Sequence, residues 1–280
     1  MRLWIQGARP RTLPAAVVPV AVGTAAAVPD VVWWRASVAL VVAMALQVGV
    51  NYANDYSDGI RGADANRVGP ARLVGGGAVA PALVRRAAFG AFAVAAAAGL
   101  ALAVAVALWL VAVGLACMVA AWYYTGGRRP YGYSGFGEVF VFVFFGLVAT
   151  VGTTFVQTEE LTALAVAASV PVGLMASALL VANNLRDIPQ DRESGKVTLA
   201  VRLGDRRAAW LYAGLVLASI GVGASLAVAR PWAPLTLVSL SLAVPALSIA
   251  LSSAAKSPLL NHTARLHLVL GALLTVGLAL

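Results

Sequence analysis

The chain has 280 residues, of which 61% are hydrophobic and 11% charged, with a mean hydropathy of +0.88. Soluble domains average about 25% charged residues, so the composition argues against a soluble fold, and the lack of two-residue alternation argues against a membrane β-barrel. The net charge of +9 would suit a nucleic-acid binder. In so apolar a chain it reads instead as Lys and Arg gathered in cytoplasmic loops, and no nucleic-acid partner is expected.

Arg2, Arg9 and Arg11 precede the first apolar run, Leu13–Ala27. A basic flank, an apolar stretch and small residues at 25–27 resemble a leader peptide. The segment Arg9-Pro-Arg-Thr-Leu-Pro14 is an unusual flank for one, so the run is read as a retained span. Further spans are predicted at 36–54, 85–104, 106–124, 138–157, 162–182, 208–229, 232–252 and 259–280, after a first at 13–29. Each approaches the roughly 20 apolar residues that cross a bilayer. Residues 87–124 carry no charge. One helix of that length would be ~57 Å long, against a hydrocarbon core of ~30 Å, so two helices joined by a tight turn are expected.

Loop charge supports that division. With nine spans and a cytoplasmic N-terminus, 18 of the 20 Lys and Arg residues fall inside, and Arg35 and Arg230 fall outside. Fusing 87–124 leaves 9 inside and 11 outside, against the positive-inside rule. The expectation is an all-α polytopic membrane protein, a single domain over 1–280. Nine transmembrane helices surround a central cavity open to the cytoplasmic side, in a multi-pass chain of the cell membrane whose C-terminus is outside. Two pseudo-repeated four-helix halves plus a ninth helix fit the rough similarity of the two loops, 55–84 and 187–207.

Two acidic stretches end long apolar runs: Asn51-Tyr-Ala-Asn-Asp-Tyr-Ser-Asp58 and Asn183-Asn-Leu-Arg-Asp-Ile-Pro-Gln-Asp191. Asn51, Asp55 and Asp58 are spaced by 4 and 3, so they share a helical face; Asn183, Asp187 and Asp191 repeat the spacing of 4. Asn54 and Asn184 lie beside them. Solvated helix ends would account for one such stretch. Two on the same side of the membrane point to oxygen ligands for hard divalent cations. Arg61, Arg67 and Arg72 follow the first stretch, Arg186, Arg192, Lys196 and Arg202 accompany the second, and Arg128 and Arg129 lie in Tyr123–Tyr133. Arg suits phosphate oxygens through its planar fork. Acids, metal and Arg on one face make a diphosphate site.

Other signals are weaker. Gly75-Gly-Gly77 could cradle an anion but reads as a flexible loop. His262 and His267, five apart, share no helical face and are not expected to bind metal. The single cysteine, Cys117, permits no intrachain disulfide. Phe140 and Phe144, among the Phe residues of the fifth span, are candidates to line an apolar pocket, with packing as the alternative.

Taken together, Ala8–Pro14, Asn51–Asp64, Arg67–Leu73, Tyr131-Gly-Tyr133 with Phe144-Phe-Gly146, and Asn183–Gly204 resemble the UbiA-type intramembrane aromatic prenyltransferases. The branch acting on 1,4-dihydroxy-2-naphthoate is the most similar. The resemblance implies Mg²⁺, as two ions bridging a polyprenyl diphosphate, with Asp55, Asp58 and Asn51 at one and Asp187, Asp191 and Asn183 at the other. It also implies Asn54, Arg61, Arg67, Arg72, Arg129, Asn184 and Arg186 on the diphosphate, and Arg128 and Lys196 as cations acting in catalysis. Tyr124, Tyr131, Tyr133, Phe140 and Phe144 are implied at the aromatic ring or isoprenoid. In the first motif Gly62 stands where the superfamily has a third Asp, and Asp64 is the candidate substitute ligand; Arg128 stands where the family has Lys. The implied reaction is prenylation of 1,4-dihydroxy-2-naphthoate with loss of CO₂ and diphosphate, giving demethylmenaquinone. Another acceptor such as 4-hydroxybenzoate is the alternative within the fold, and an ion or Mg²⁺ transporter the alternative outside it. No obligate protein partner is inferred.

Overall fold

The computed structural model describes residues 2–62 and 72–280, and every regular element among them is helical. A short helix α1 (Arg2–Gly7) precedes α2 (Pro14–Ala25), α3 (Trp33–Ile60), α4 (Pro81–Ala105) and α5 (Leu110–Tyr123). Then come α6 (Gly137–Thr158), α7 (Ala163–Glu193), α8 (Leu199–Ser225), α9 (Ala233–Leu251) and α10 (Leu259–Ala279). Seven of these, α3, α4 and α6 to α10, are long and apolar enough to cross a membrane. Of the other three, α1 has six residues, and α2 and α5 are apolar but shorter than the seven. At 14 residues α5 rises only ~21 Å. The uncharged stretch 87–124 does break, between Ala105 and Leu110.

Helix boundaries follow local chemistry. Pro81 starts α4 and Pro14 starts α2, where a missing N–H costs nothing. Thr162 caps α7 by accepting the Ala165 N–H at 3.1 Å, and Thr198 caps α8 at Val201. Gly204, at φ 76°, puts a kink in α8 that a side chain would strain. At the end of α9, Lys256 Nζ donates to the carbonyls of Ile249, Ala250 and Ser252, so an ammonium satisfies groups that the helix leaves unpaired.

Each motif-bearing helix packs most extensively on the helix that follows it, α3 on α4 and α7 on α8. The largest apolar cluster joins α7, α8, α9 and α10 around Tyr212, whose hydroxyl meets Thr263 Oγ1 at 2.8 Å. The protein fully buries none of the α5 residues, and a helix apolar on all sides that its own chain leaves uncovered suits a lipid surrounding. In α6, residues 142–148 form a π-helical turn and press against α7 at Gly146 and Gly173. A Cβ on Gly146 would lie 2.5 Å from the Gly173 Cα, so only glycine permits this approach. Such π turns are frequent at functional sites.

Candidate active site

A cavity of about 510 Å³ opens among α2, α3, α5, α6 and α7. Its polar end gathers Asn51, Asn54, Asp55 and Asp58 from α3 with Asn183, Asn184, Arg186 and Asp187 from α7, together with Arg72 and Lys196. The two acidic stretches, more than a hundred residues apart in the chain, therefore face one space. Its apolar wall is a run of rings. Tyr124 meets Tyr131 edge-on at 5.4 Å, Tyr131 stacks on Phe140 at 4.0 Å, and Phe140 on Phe144 at 6.1 Å. The π turn of α6 carries Phe144 and Phe145 into this wall.

The first stretch is held by groups from distant segments. Asp55 is fully buried, and its two oxygens accept the Leu73 N–H at 3.1 Å and the Val74 N–H at 3.0 Å. The turn is packed down at Leu73 and Val74, and Gly76 and Gly77 beyond them are exposed. Leu73 is 2% exposed, and a Cβ on Gly59 would lie 2.4 Å from Val74. The same turn delivers Arg72 to the cavity. Asp58 Oδ1 accepts the Tyr133 hydroxyl at 2.7 Å. Asn54 Oδ1 accepts Thr125 Oγ1 at 2.8 Å, and Asn51 Nδ2 donates to Ala8 O and Thr12 Oγ1. Burial and the Asp58 charge raise the Tyr133 hydroxyl above the usual phenol range, so it stays a donor. Burial raises Tyr131 as well.

The second stretch is held by cations from its own neighbourhood. Arg186 grips Asp187 with Nε at 2.6 Å and Nη2 at 2.7 Å, and Nη2 also reaches Asn183 Oδ1 at 2.8 Å. Lys196 Nζ lies 3.8 Å from Asp191 Oδ1 and 5.3 Å from the Tyr133 ring centroid.

Several expected residues are placed elsewhere. Arg61 donates to the carbonyls of Thr125 and Gly127 and packs over Tyr133 at 5.4 Å, which braces the 125–127 turn instead of facing the cavity. Arg128 and Arg129 are exposed and outside the lining, because the turn after α5 points them away. Asp191 and Tyr133 stand just behind the lining. Asp64 and Arg67 lie outside the described residues. Conversely, Gln6, Arg9, Arg11, Thr12, Gln47 and Thr125 line the cavity and were not singled out as site residues. A proline-bracketed basic segment before the first span was the available signal for Arg9, Arg11 and Thr12. Nothing local marks Gln47 or Thr125.

Hard oxygen donors of this kind suit Mg²⁺, which takes one or two carboxylates and completes its shell with water and phosphate oxygens. Among the described residues no three or more His, Cys, Asp or Glu side chains converge on one point. The donor set thus fits Mg²⁺ that is shared with a bound diphosphate, and not an all-protein cage.

Helices, cavity and paired acids define the class, and the sequence comparison agrees: the chain belongs to the UbiA prenyltransferase family, whose model matches residues 16–274. It is 50% identical over 245 residues to the 1,4-dihydroxy-2-naphthoate octaprenyltransferase of Mycobacterium tuberculosis, covering 87% of this chain and 84% of the relative. The Escherichia coli protein of the same name is 37% identical over 233 residues, 78% of this chain and 73% of the relative. A UbiA homolog from Aeropyrum pernix superposes with a TM-score of 0.75 at 15% identity, covering 94% and 97% of the two chains. One from Archaeoglobus fulgidus, solved with GPP and Mg²⁺ bound, gives 0.72 at 14% identity and covers 99% of each. These two likenesses show the shared fold.

Proposed function

We propose that the protein transfers a polyprenyl group from polyprenyl diphosphate to 1,4-dihydroxy-2-naphthoate, releasing diphosphate and CO₂ and giving demethylmenaquinol, the hydroquinone form of demethylmenaquinone, for menaquinone synthesis. The observation that carries this is one cavity that is acidic and basic at one end and walled by aromatic rings along its length. The acceptor is supported by relatives of that name, at up to 50% identity among those described above.

Asp55 and Asp58 with the oxygen of Asn51 would hold one Mg²⁺, and Asp187 and Asp191 with Asn183 a second. A carboxylate has about four lone-pair sites, so Asp55 can hold the loop amides and ligate too. Held by these residues, Mg²⁺ would supply positive charge to the diphosphate. Arg72, Arg186 and Lys196 line the same end and stabilise the negative charge that grows on the leaving oxygen. The allylic C–O bond breaks with both electrons leaving on diphosphate. The rings of Tyr131, Phe140 and Phe144 face the resulting allylic cation, attract it through their π faces and exclude water from it. The ring carbon bearing the carboxylate supplies the electron pair of the new C–C bond, and CO₂ departs from that carbon.

The membrane arrangement follows the same reading. α2 and α5 cross with the seven longer helices, giving nine, and the acidic end of the cavity opens to the cytoplasm. Arg35 and Arg230, the two basic residues left on the far side, are both tied down. Arg35 pairs with Glu159 at 3.0 Å and with the Val156 carbonyl, and Arg230 donates to the Val28 carbonyl. A reporter fused after Leu280 should be active only when exported; a cytoplasmic signal would overturn this topology.

The decisive test is product mass from purified protein given a polyprenyl diphosphate, Mg²⁺ and a panel of acceptors. Prenylated, decarboxylated naphthoate formed only before chelation supports the reading. Exclusive transfer to 4-hydroxybenzoate, or cation flux without diphosphate release, would replace it.

A further inference from the structure

Glu138 begins α6 inside the helix packing, 7% exposed. A carboxyl within an apolar span is costly, and the transfer scheme above does not use it. Its surroundings are nonetheless built. Oε1 accepts Asn184 Nδ2 at 3.1 Å, and the Glu138 carbonyl accepts Ser177 Oγ at 3.0 Å. Oε2 has no hydrogen-bond partner among the described residues, so the acid is kept despite an unsatisfied buried oxygen. Ser177 and Asn184 are seven residues apart on one face of α7, and Asp187 and Asp191 continue that face. Glu138 therefore fixes α7 one turn inward of the second pair of acids.

The chemistry at Asn184 is directional. A carboxamide has a donor end and an acceptor end, and Glu138 Oε1 takes the donor end. Holding Nδ2 leaves Oδ1 for the cavity, which Asn184 lines, and no described residue donates to that oxygen. Asn184 lies about 5 Å inward of Asp187 along the helix. The aromatic wall comes up beside it: a Cβ on Gly137, next to Glu138, would be 3.3 Å from the Tyr124 hydroxyl. With diphosphate at the level of the acids, an aromatic acceptor lying against this wall would bring its hydroxyl-bearing edge to Asn184.

We propose that Glu138 is a positioning residue that holds the Asn184 amide with its oxygen toward the cavity, where that oxygen accepts a hydrogen bond from a hydroxyl of the aromatic acceptor. The inference rests on the prenyl-transfer reading. A site built to accept from a hydroxyl loses discrimination when its polar group is turned away.

The test is steady-state kinetics of the purified full chain. E138A should raise KM for 1,4-dihydroxy-2-naphthoate about tenfold, the worth of one hydrogen bond to a buried group. E138Q, which can offer the amide either end, should raise it less. KM for the prenyl diphosphate and the Mg²⁺ concentration for half-activity should not move. The charge-conserving swap E138Q/N184D rebuilds the bond in reverse and still presents an oxygen, so its acceptor KM should fall below that of N184D alone. If E138A fails to fold, E138Q and the swap decide. An unmoved acceptor KM in E138Q, a shift in Mg²⁺ dependence, or a swap no better than N184D overturns the inference while normal wild-type turnover leaves the proposed function standing. No transfer by the wild type overturns both.

Discussion

The two acidic stretches have nearly the same spacing but opposite electrostatic settings. In the first, neutral groups hold the polar side chains: two loop amides on Asp55, a phenol on Asp58 and a threonine on Asn54. In the second they are cations: a two-pronged guanidinium on Asp187 and an ammonium near Asp191. Neutral donors orient a carboxylate and leave its charge in place, while a bidentate Arg offsets that charge. Under the proposed function the first stretch would attract a free cation more strongly, and Arg186 and Lys196 would turn from the acids of the second to a bound diphosphate.

That difference can be broken from either side. The largest expected effect is at the acids themselves. D58A and D187A should each lower turnover by roughly 10²–10³-fold, the cost typical of removing a preorganised charge-stabilising group. Radiolabelled prenyl transfer would measure it, and near-normal turnover in either variant would defeat the paired-acid reading. Next comes D55A, which takes the acceptor from the buried Leu73 amide and the partly buried Val74 amide. It should destabilise the protein by about 2 kcal/mol, lowering the thermal midpoint where D187A does not; equal midpoints would mean the loop is held by other contacts.

R186Q separates the roles of the second stretch. It should raise KM for the prenyl diphosphate about tenfold, because the phosphate loses its fork, with a smaller change in kcat. R186K should recover little, since an ammonium lacks the paired geometry. The smallest effect is expected at Tyr133. Y133F removes one oriented hydrogen bond to Asp58 and should lower turnover about threefold. Because burial and Asp58 hold the Tyr133 hydroxyl above the ordinary phenol value, of about 10, it remains protonated as pH rises through that value. Wild type and Y133F should therefore share one alkaline limb, and an alkaline limb that Y133F abolishes would contradict this.

Sequence by itself determined the membrane class, the helix positions and the two motifs. Apolar length and helical spacing are local quantities, readable within 20 residues. Even the unmarked turn between α4 and α5 was recoverable, because the bilayer thickness forbids a single helix. What only the tertiary structure decided is which side chains meet. Arg61, Arg128 and Arg129 share the composition of a phosphate site, yet a turn after α5 takes two of them to solvent and the 125–127 carbonyls claim the third. Gln47, Thr12 and Thr125 enter the site through bonds spanning 35 and 71 residues, and Glu138 reaches Asn184 across 46. Such partners carry no periodic signal. They follow from how helices cross and from buried polar groups having to find one another where water is absent.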